Sequence, residues 1–337
     1  MADNYFCLDI GEKYTEVADI RKQVDILEVL SIGKIETIEA FFTNEIEKTL
    51  NDQANAINRL VSSLKISKKN VNVVIPDSLT YNQILTMPYL NEKELISAIK
   101  YQADQFIPMP IEETNIDLEI IEEYKVEKKI LILIVAAPKK LIEKIQTTVE
   151  LAGLIPESVE TELSANSRFL IEFDKKIIAP GKQNILLVNF GVNSTNLSYF
   201  DQVKPTLKES HNISLGYQLF LKEIRVNTDT DEKKASEILK TYTAGHPSSY
   251  PVETIIAPLL KEFVSEIKRF ISAKKPSSLL FIGNIAYFPG LISLIQKELA
   301  IPSVLLNPYS FIKKSPLVDG LSQELPFFIS TFGGNLR

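Results

Sequence analysis

The sequence has few of the residues that most often carry enzyme chemistry or cross-links. Its 337 residues include one cysteine, two histidines and no tryptophan. The lone Cys7 excludes an internal disulfide and is consistent with a reducing compartment. His211 and His246 have no cysteine or histidine at ligand spacing nearby, which argues against a structural metal site. No serine, threonine or cysteine stands in a nucleophile-elbow pattern, so the sequence contains no constellation that demands an enzyme.

Long apolar segments and an excess of positive charge are also missing. The longest apolar run, Ile130 to Pro138, has about half of the roughly 20 residues that a membrane-spanning helix needs, so we expect no direct membrane insertion. The first residues lack a basic segment followed by a long apolar one, and we expect no signal peptide. The net charge of −6 argues against nucleic acid as a partner.

A strand–turn–strand pattern occurs twice, 180 positions apart. Residues 5–20 and 184–202 each contain an apolar strand, an acid or amide, one apolar residue, a glycine and a return strand. The aligned pairs are Asp9 with Asn189, Gly11 with Gly191, Thr15 with Thr195 and Val17 with Leu197. Such self-similarity indicates one structural device used twice.

Each turn of this repeat has the chemistry of an anion-binding site. Glycine lets a ligand approach the backbone closely, and successive N–H groups at a bend form an anion-binding concavity. Asp9 could hold a metal-bound water opposite it, which makes Asp9 the candidate contact for Mg²⁺. Two such turns facing one cleft would hold a polyphosphate from both sides. The alternative is a pair of tight turns in which glycine serves only the turn geometry.

The order of predicted elements is typical of an α/β protein. Three strands precede a helix over 40–65 and a strand over 71–75. Residues 80–156 then have the pattern of an inserted β-α-β-β-α module. Proline and glycine within 177–183 mark a boundary, after which the second half repeats the same logic. A terminal helix is predicted over 325–337.

Several segments resemble the PilM-type pilus assembly proteins, which are bacterial relatives of FtsA in the actin-like ATPase superfamily. The resemblance runs in order from about residue 5 to residue 336. The segments are the two glycine turns, ADQFIPMPIEE at 103–113, LIVAAPKK at 133–140, and LLFIGNIAYFPGL followed by VLLNPYS. QFIPMP and VNSTNLS are its most specific stretches.

The resemblance implies an actin-like, ribonuclease H-like duplicated fold of two lobes with an inserted subdomain of the 1C type. Residues 1–79, 157–179 and 325–337 would form the first lobe, and 184–324 the second. Residues 80–156 would form the inserted β-α-β-β-α subdomain.

The resemblance also implies a site for ATP and Mg²⁺ between the lobes. The corresponding positions are Asp9, Gly11 and Lys13 in the first phosphate loop, Gly191, Asn193 and Thr195 in the second, and Gly283 in the glycine motif near the nucleotide. The candidate metal contact is Asp9, through water.

Departures from the family pattern predict a degenerate site with absent or very slow ATP hydrolysis. Glu12 and Glu16 follow the first glycine, and a carboxylate about 4 Å from a phosphate charge costs about 4 kcal/mol at an effective dielectric of about 20. Lys13 offsets part of that cost. Asn189 replaces the second-loop acid and cannot serve as a carboxylate base. Ile285 stands where a glycine usually lets the backbone approach the nucleotide.

Three classes of function remain open at this point. The first is a cytoplasmic scaffold, peripheral to the inner membrane, in a type IV pilus or a related secretion or DNA-uptake machine. The second is an FtsA-like membrane-tethered filament protein, although FFISTFGGNLR is not the basic amphipathic helix that such tethering needs. The third is a nucleotide-hydrolysing ATPase or a small-molecule kinase, which would need a carboxylate base that Asn189 does not supply and for which no second acid is evident.

The resemblance implies a partner as well. PilM-type proteins bind a short N-terminal cytoplasmic segment of PilN, a single-pass inner-membrane protein, in a groove between the inserted subdomain and the first lobe. Other pilus inner-membrane components would join that assembly. Phe106 and Met109 flank rigid prolines at the end of a predicted helix over 95–107, and they are the candidate partner-binding residues. Alternatively, both side chains fill the core of the module.

Overall fold

The computed structural model describes residues 4–24, 26–90, 94–95, 97–99, 107–173, 184–201 and 205–337. Phe106 and the predicted boundary at 177–183 lie outside these residues. The strands are β1 (Tyr5–Ile10), β2 (Tyr14–Gln23), β3 (Ile26–Glu36), β4 (Asn70–Ile75), β5 (Tyr81–Pro88), β6 (Thr114–Tyr124), β7 (Lys129–Pro138), β8 (Ile155–Thr161), β9 (Ile185–Phe190), β10 (Thr195–Asp201), β11 (Thr206–Ile213), β12 (Ser278–Gly283) and β13 (Ser303–Leu305). The helices of the described residues are Glu47–Ser63, Lys139–Leu151, Glu162–Glu172, Tyr217–Thr228, Glu232–Thr241, Val252–Ile271, Gly290–Leu299, Pro316–Gly320 and Ile329–Gly334.

Two five-stranded sheets share one topology. The first sheet has the order β3-β2-β1-β4-β8, and the second has the order β11-β10-β9-β12-β13. In each sheet the first strand of the repeat pairs antiparallel with its hairpin partner and parallel with the strand on its other side. The two sheets confirm that one structural device is used twice, as the repeat predicts.

The register within the two hairpins is also the same. The corresponding cross-strand pairs are Leu8 with Val17 and Ile10 with Thr15 in the first hairpin, and Val188 with Leu197 and Phe190 with Thr195 in the second. A shift of one residue would move every side chain to the other face, so this agreement is specific evidence for the duplication.

A third sheet has the antiparallel order β5-β7-β6 and is formed by residues of the inserted module. Its central strand β7 is buried along most of its length, as its uninterrupted apolar run predicts. Ile130 and Ile132 pack in the core of the module with Leu95 and Ile99. Leu133 belongs to the core that joins the two larger sheets. One face of β7 therefore packs in the module core, and the other face ties the module to the rest of the protein.

The helix Lys139–Leu151, which the sequence groups with the module, buries its apolar face on the first sheet. Ile145 and Val149 pack in a core that also contains Ile57 and Val61 of the helix Glu47–Ser63. The spacing of these apolar residues forms one helical stripe, and burying that stripe on the sheet removes it from water. The helix thus begins beside the module and runs across the first lobe.

Two predicted helix boundaries differ from the structure. The first helix begins at Glu47, because Ala40 has a left-handed φ of 59° and residues 38–44 form turns. The terminal segment is a 3-10 turn, Leu325–Phe328, followed by the short helix Ile329–Gly334. This helix packs so closely on the helix Glu162–Glu172 that a Cβ atom at Gly333 would overlap the carbonyl of Ala165.

Candidate functional site

The two glycine turns line one cleft between the first and second sheets. Gly11 N donates to Tyr14 O at 3.0 Å, and Gly191 N donates to Ser194 O at 2.9 Å. A Cβ atom on either glycine would lie 2.7 Å from that carbonyl oxygen. Glycine is therefore required at both turns by a close backbone approach rather than by a positive φ.

The floor of the cleft contains carboxyl groups that are almost fully removed from water. Asp9 is 5% exposed and Asp77, directly beneath the cleft, is 2% exposed. Burial raises the pKa of each to about 7, and repulsion between the two carboxylates adds to the shift at Asp9. Asp9 Oδ1 and Asp77 Oδ2 have no hydrogen-bond partner among the described residues.

Glu162 is a further acid in the cleft wall. Its Oε2 accepts hydrogen bonds from the backbone N–H of Asp77 and from Nδ2 of Asn189, both at 3.2 Å. Burial, followed by the nearby Asp77 and Asp9 carboxylates, raises the pKa of Glu162 well above its usual range. Asn189 thus serves as a donor to Glu162. This contact joins the second hairpin to the first lobe.

The sequence pattern did not predict two of these acids, Asp77 and Glu162, as site residues. Asp77 follows β4 and Glu162 follows β8, and these two strands are parallel neighbours. Ligands of open α/β sheets bind at the carboxyl ends of parallel strands. The positions of Asp77 and Glu162 directly after two such strands could therefore have identified them as site residues. The expectation that no second acid accompanies Asn189 is corrected, because Glu162 hydrogen-bonds to it directly.

Gly283 lies at the end of β12 on the same cleft. Its φ is +79°, and a Cβ atom there would lie 2.8 Å from Oδ1 of Asn189 and 2.9 Å from the carbonyl oxygen of Phe190. Both the left-handed conformation and this approach exclude a side chain. The next residue but one, Ile285, is fully buried in the core of the second sheet.

The mouth of the cleft is crossed by charged and amide side chains. Glu12 accepts hydrogen bonds from Ser78 Oγ at 2.9 Å and from Asn193 Nδ2 at 2.8 Å. The backbone N–H of Asn193 donates to the other Glu12 carboxylate oxygen at 3.2 Å. Lys13 Nζ lies 3.6 Å from Glu232 on the second lobe. Glu12 and Lys13 of the first loop thus both contact residues of the second lobe across the cleft.

An aromatic cluster with one lysine closes the side of the cleft. Lys34 Nζ lies 4.1 Å from the ring centre of Phe327 and 2.9 Å from Glu324 Oε2. It also donates to Tyr287 Oη at 3.3 Å, and the Tyr14 ring is 6.0 Å from that of Tyr287. Cation–π and aromatic contacts of this kind add to apolar burial. They link β3 and the first turn to the segment after β12.

Thr195 does not face this cleft, which corrects its assignment to the second phosphate loop. Its side chain is fully buried, and its Oγ1 donates to the carbonyl of Leu215 at 2.6 Å. Successive side chains of a strand point to opposite faces, and Thr195 lies on the interior face. Of the other predicted residues, Asp9, Gly11, Lys13, Gly191 and Gly283 line the cleft, and Asn193 covers its mouth.

A second concave surface lies where the module meets the helix Lys139–Leu151. This module groove has a volume of about 280 Å³, and it is lined by Met109, Pro110, Glu112, Glu113, Thr114, Pro138, Lys139, Lys140 and Glu143. Met109 is half-buried against the module core. The groove combines an apolar wall with acidic and basic side chains.

Similarity to solved structures defines the class of fold. A chain of the PilM–PilN type IV pilus biogenesis complex superposes with a TM-score of 0.86 at 19% identity, covering 100% of this chain and 99% of that one. The ethanolamine utilization protein EutJ from Carboxydothermus hydrogenoformans gives 0.58 at 12% identity, with 98% and 88% covered. A Bacteroides thetaiotaomicron protein described as having an actin-like ATPase fold gives 0.50 at 10% identity, with 94% of each chain covered. The protein has the actin-like ATPase fold.

The family follows from the sequence itself. The family model of the type IV pilus assembly protein PilM matches residues 7–337. The chain therefore belongs to the PilM family of type IV pilus assembly proteins. Across the residues that the structure describes, no helix has the length and apolarity needed to cross a bilayer.

Proposed function

We propose that this protein is a cytoplasmic scaffold of a type IV pilus or related assembly machine. In this proposal it binds the N-terminal cytoplasmic tail of a PilN-like inner-membrane protein and is held at the membrane through that partner. Membership of the PilM family and the likeness to a chain of a PilM–PilN complex support the assignment. The observation that carries it is the module groove.

The module groove suits a short extended peptide. Its volume of about 280 Å³ accommodates apolar side chains rather than a large ligand. Met109 and Pro138 supply apolar contacts. Lys139 and Glu143 lie in the first turns of a helix that packs on the first lobe. A peptide seated there would contact the module and the first lobe together. Anchor residues in a pocket with a charged rim are the usual arrangement of peptide-recognition sites.

Replacing Met109 tests this proposal. Met109→Glu would place a charge on the apolar wall, and we expect it to weaken binding of a labelled PilN-like tail by roughly tenfold or more. The matched control is Val126→Glu in the same module, because Val126 is 99% exposed at the hairpin tip between β6 and β7. Fluorescence anisotropy measures both affinities, and circular dichroism checks folding. Equal affinity of the two variants would place the partner site elsewhere.

We also propose that the cleft between the sheets does not hydrolyse ATP. Its internal volume is about 60 Å³, whereas small-molecule sites span roughly 300–1,000 Å³. Glu12 already accepts the hydrogen bond of the second turn's N–H group, and its carboxylate would repel a phosphate placed there. The residues therefore do not fit a nucleoside triphosphate in this conformation. Asp9, whose Oδ1 has no partner among the described residues, is the group suited to hydrated Mg²⁺.

Glu162 is the one observation that favours the alternative of an active ATPase. It supplies the carboxyl that Asn189 lacks, within hydrogen-bond distance of that amide. Phosphate release from ATP and binding of a fluorescent ATP analogue distinguish the two functions. We expect no steady turnover and affinity weaker than micromolar. Steady turnover that is lost in Glu162→Gln would establish the alternative.

A further inference from the structure

Glu12 makes a contact that joins the two glycine turns across the cleft. It directly follows the glycine of the first turn, and its carboxylate reaches the second turn, 181 positions away in the chain. Three hydrogen bonds hold it: Asn193 backbone N–H at 3.2 Å, Asn193 Nδ2 at 2.8 Å and Ser78 Oγ at 2.9 Å. Each is a charge-assisted bond to a carboxylate, stronger than a bond between neutral groups.

The Asn193 N–H lies where an anion would bind to the second turn. Gly191 N is already used by the carbonyl of Ser194 inside the turn, which leaves the N–H of Asn193 directed at the cleft mouth. Backbone N–H groups at such a turn bind anions, and both a carboxylate and a phosphate present anionic oxygens. Glu12 therefore takes the position that an oxygen of a phosphate chain would take.

Glu12 also joins three separate parts of the fold. It belongs to the first hairpin, Ser78 follows β4, and Asn193 is the tip of the hairpin of the second sheet. Lys34, with Tyr287 and Phe327, makes a second bridge on the side of the cleft. These contacts add to the bond between Asn189 and Glu162, which also joins the two lobes.

We propose that Glu12 is a built-in anion that keeps the cleft closed without nucleotide and competes with oligophosphates for the Asn193 N–H. The two lobes then remain in one relative position regardless of the nucleotide supply. This proposal concerns the cleft alone and is independent of whether the module groove binds a peptide.

Amide hydrogen exchange of the full-length protein tests the contact. In Glu12→Ala the Asn193 amide loses its acceptor, and we expect its exchange to accelerate roughly tenfold. Glu12→Gln keeps the size but loses the charge and presents an NH₂ group to one donor, so an intermediate rate is expected. Glu36→Gln is the matched control, because Glu36 is exposed at the end of β3 and does not line the cleft.

Binding of inorganic triphosphate, measured by calorimetry, tests the competition. We expect Glu12→Ala to bind triphosphate roughly tenfold more tightly than the unmodified protein, and the control to match the unmodified protein. Unchanged exchange at Asn193 in both Glu12 variants would overturn the proposal. No gain in triphosphate affinity would overturn it as well.

Discussion

The buried acids beneath the cleft predict a stability that falls as the pH rises. Asp9 and Asp77 have pKa values raised from 3.8 to about 7 by burial. Between these two values the folded protein binds more protons than the unfolded chain. The stability contributed by each group is therefore complete below its unfolded pKa and is lost as the pH rises through about 7.

The size of the effect follows from linkage. For one carboxyl with a folded pKa of about 7, the free energy of unfolding falls by about 2 kcal/mol between about pH 5.5 and about pH 8.5. Domains have total stabilities of about 5–15 kcal/mol, so this loss is easily measured. Glu28 and Glu253, whose pKa values are lowered, are ionised in both states throughout this range and contribute no slope.

Urea denaturation across this pH range, compared with Asp77→Asn, is the assay. The asparagine carbonyl can still accept from the Leu163 N–H, which lies 3.0 Å from Asp77 Oδ1. Packing is thereby retained while one titrating group is removed, so we expect the variant's pH profile to be shallower by about 2 kcal/mol. A stability that is constant or increases with pH would refute the reasoning. So would identical slopes for the two proteins.

Three further predictions concern the first lobe and the terminal helix that packs on it. Gly333→Ala should lower the free energy of unfolding by about 1–3 kcal/mol, because the added Cβ would overlap a backbone carbonyl. Gly320→Ala, where the Cβ would meet open space, is the control in the same urea denaturation assay. Arg168→Ala should cost about 3 kcal/mol, because Arg168 donates to both carboxylate oxygens of the buried Glu160, at 3.0 and 2.6 Å; a loss below about 1 kcal/mol would contradict this. Cys7 should react with a thiol reagent only after unfolding, since burial raises its pKa and leaves no access; rapid labelling of the folded protein would show otherwise.

The duplicated fold could be predicted from local sequence pattern. Both hairpins have the same order of apolar strand, small polar residue and glycine. Successive side chains of a strand point to opposite faces, so the same order places equivalent residues on equivalent faces. The two turns consequently adopt the same backbone geometry, down to the close approach at Gly11 and Gly191. The burial of β7 on both faces could be predicted as well, because its apolar run has no polar alternation.

Only the tertiary structure decided which side chains meet in the cleft. Whether Thr195 faces the cleft or the core depends on the register and on which face of the sheet is covered, and its hydroxyl belongs to the interior. Asp77 and Glu162 are 85 positions apart and meet because β4 and β8 are neighbours, a pairing that no local pattern specifies. The bond between Glu12 and Asn193 depends on how closely the two lobes approach. That distance is set by the packing of the core between the two sheets, whose residues come from both halves of the chain.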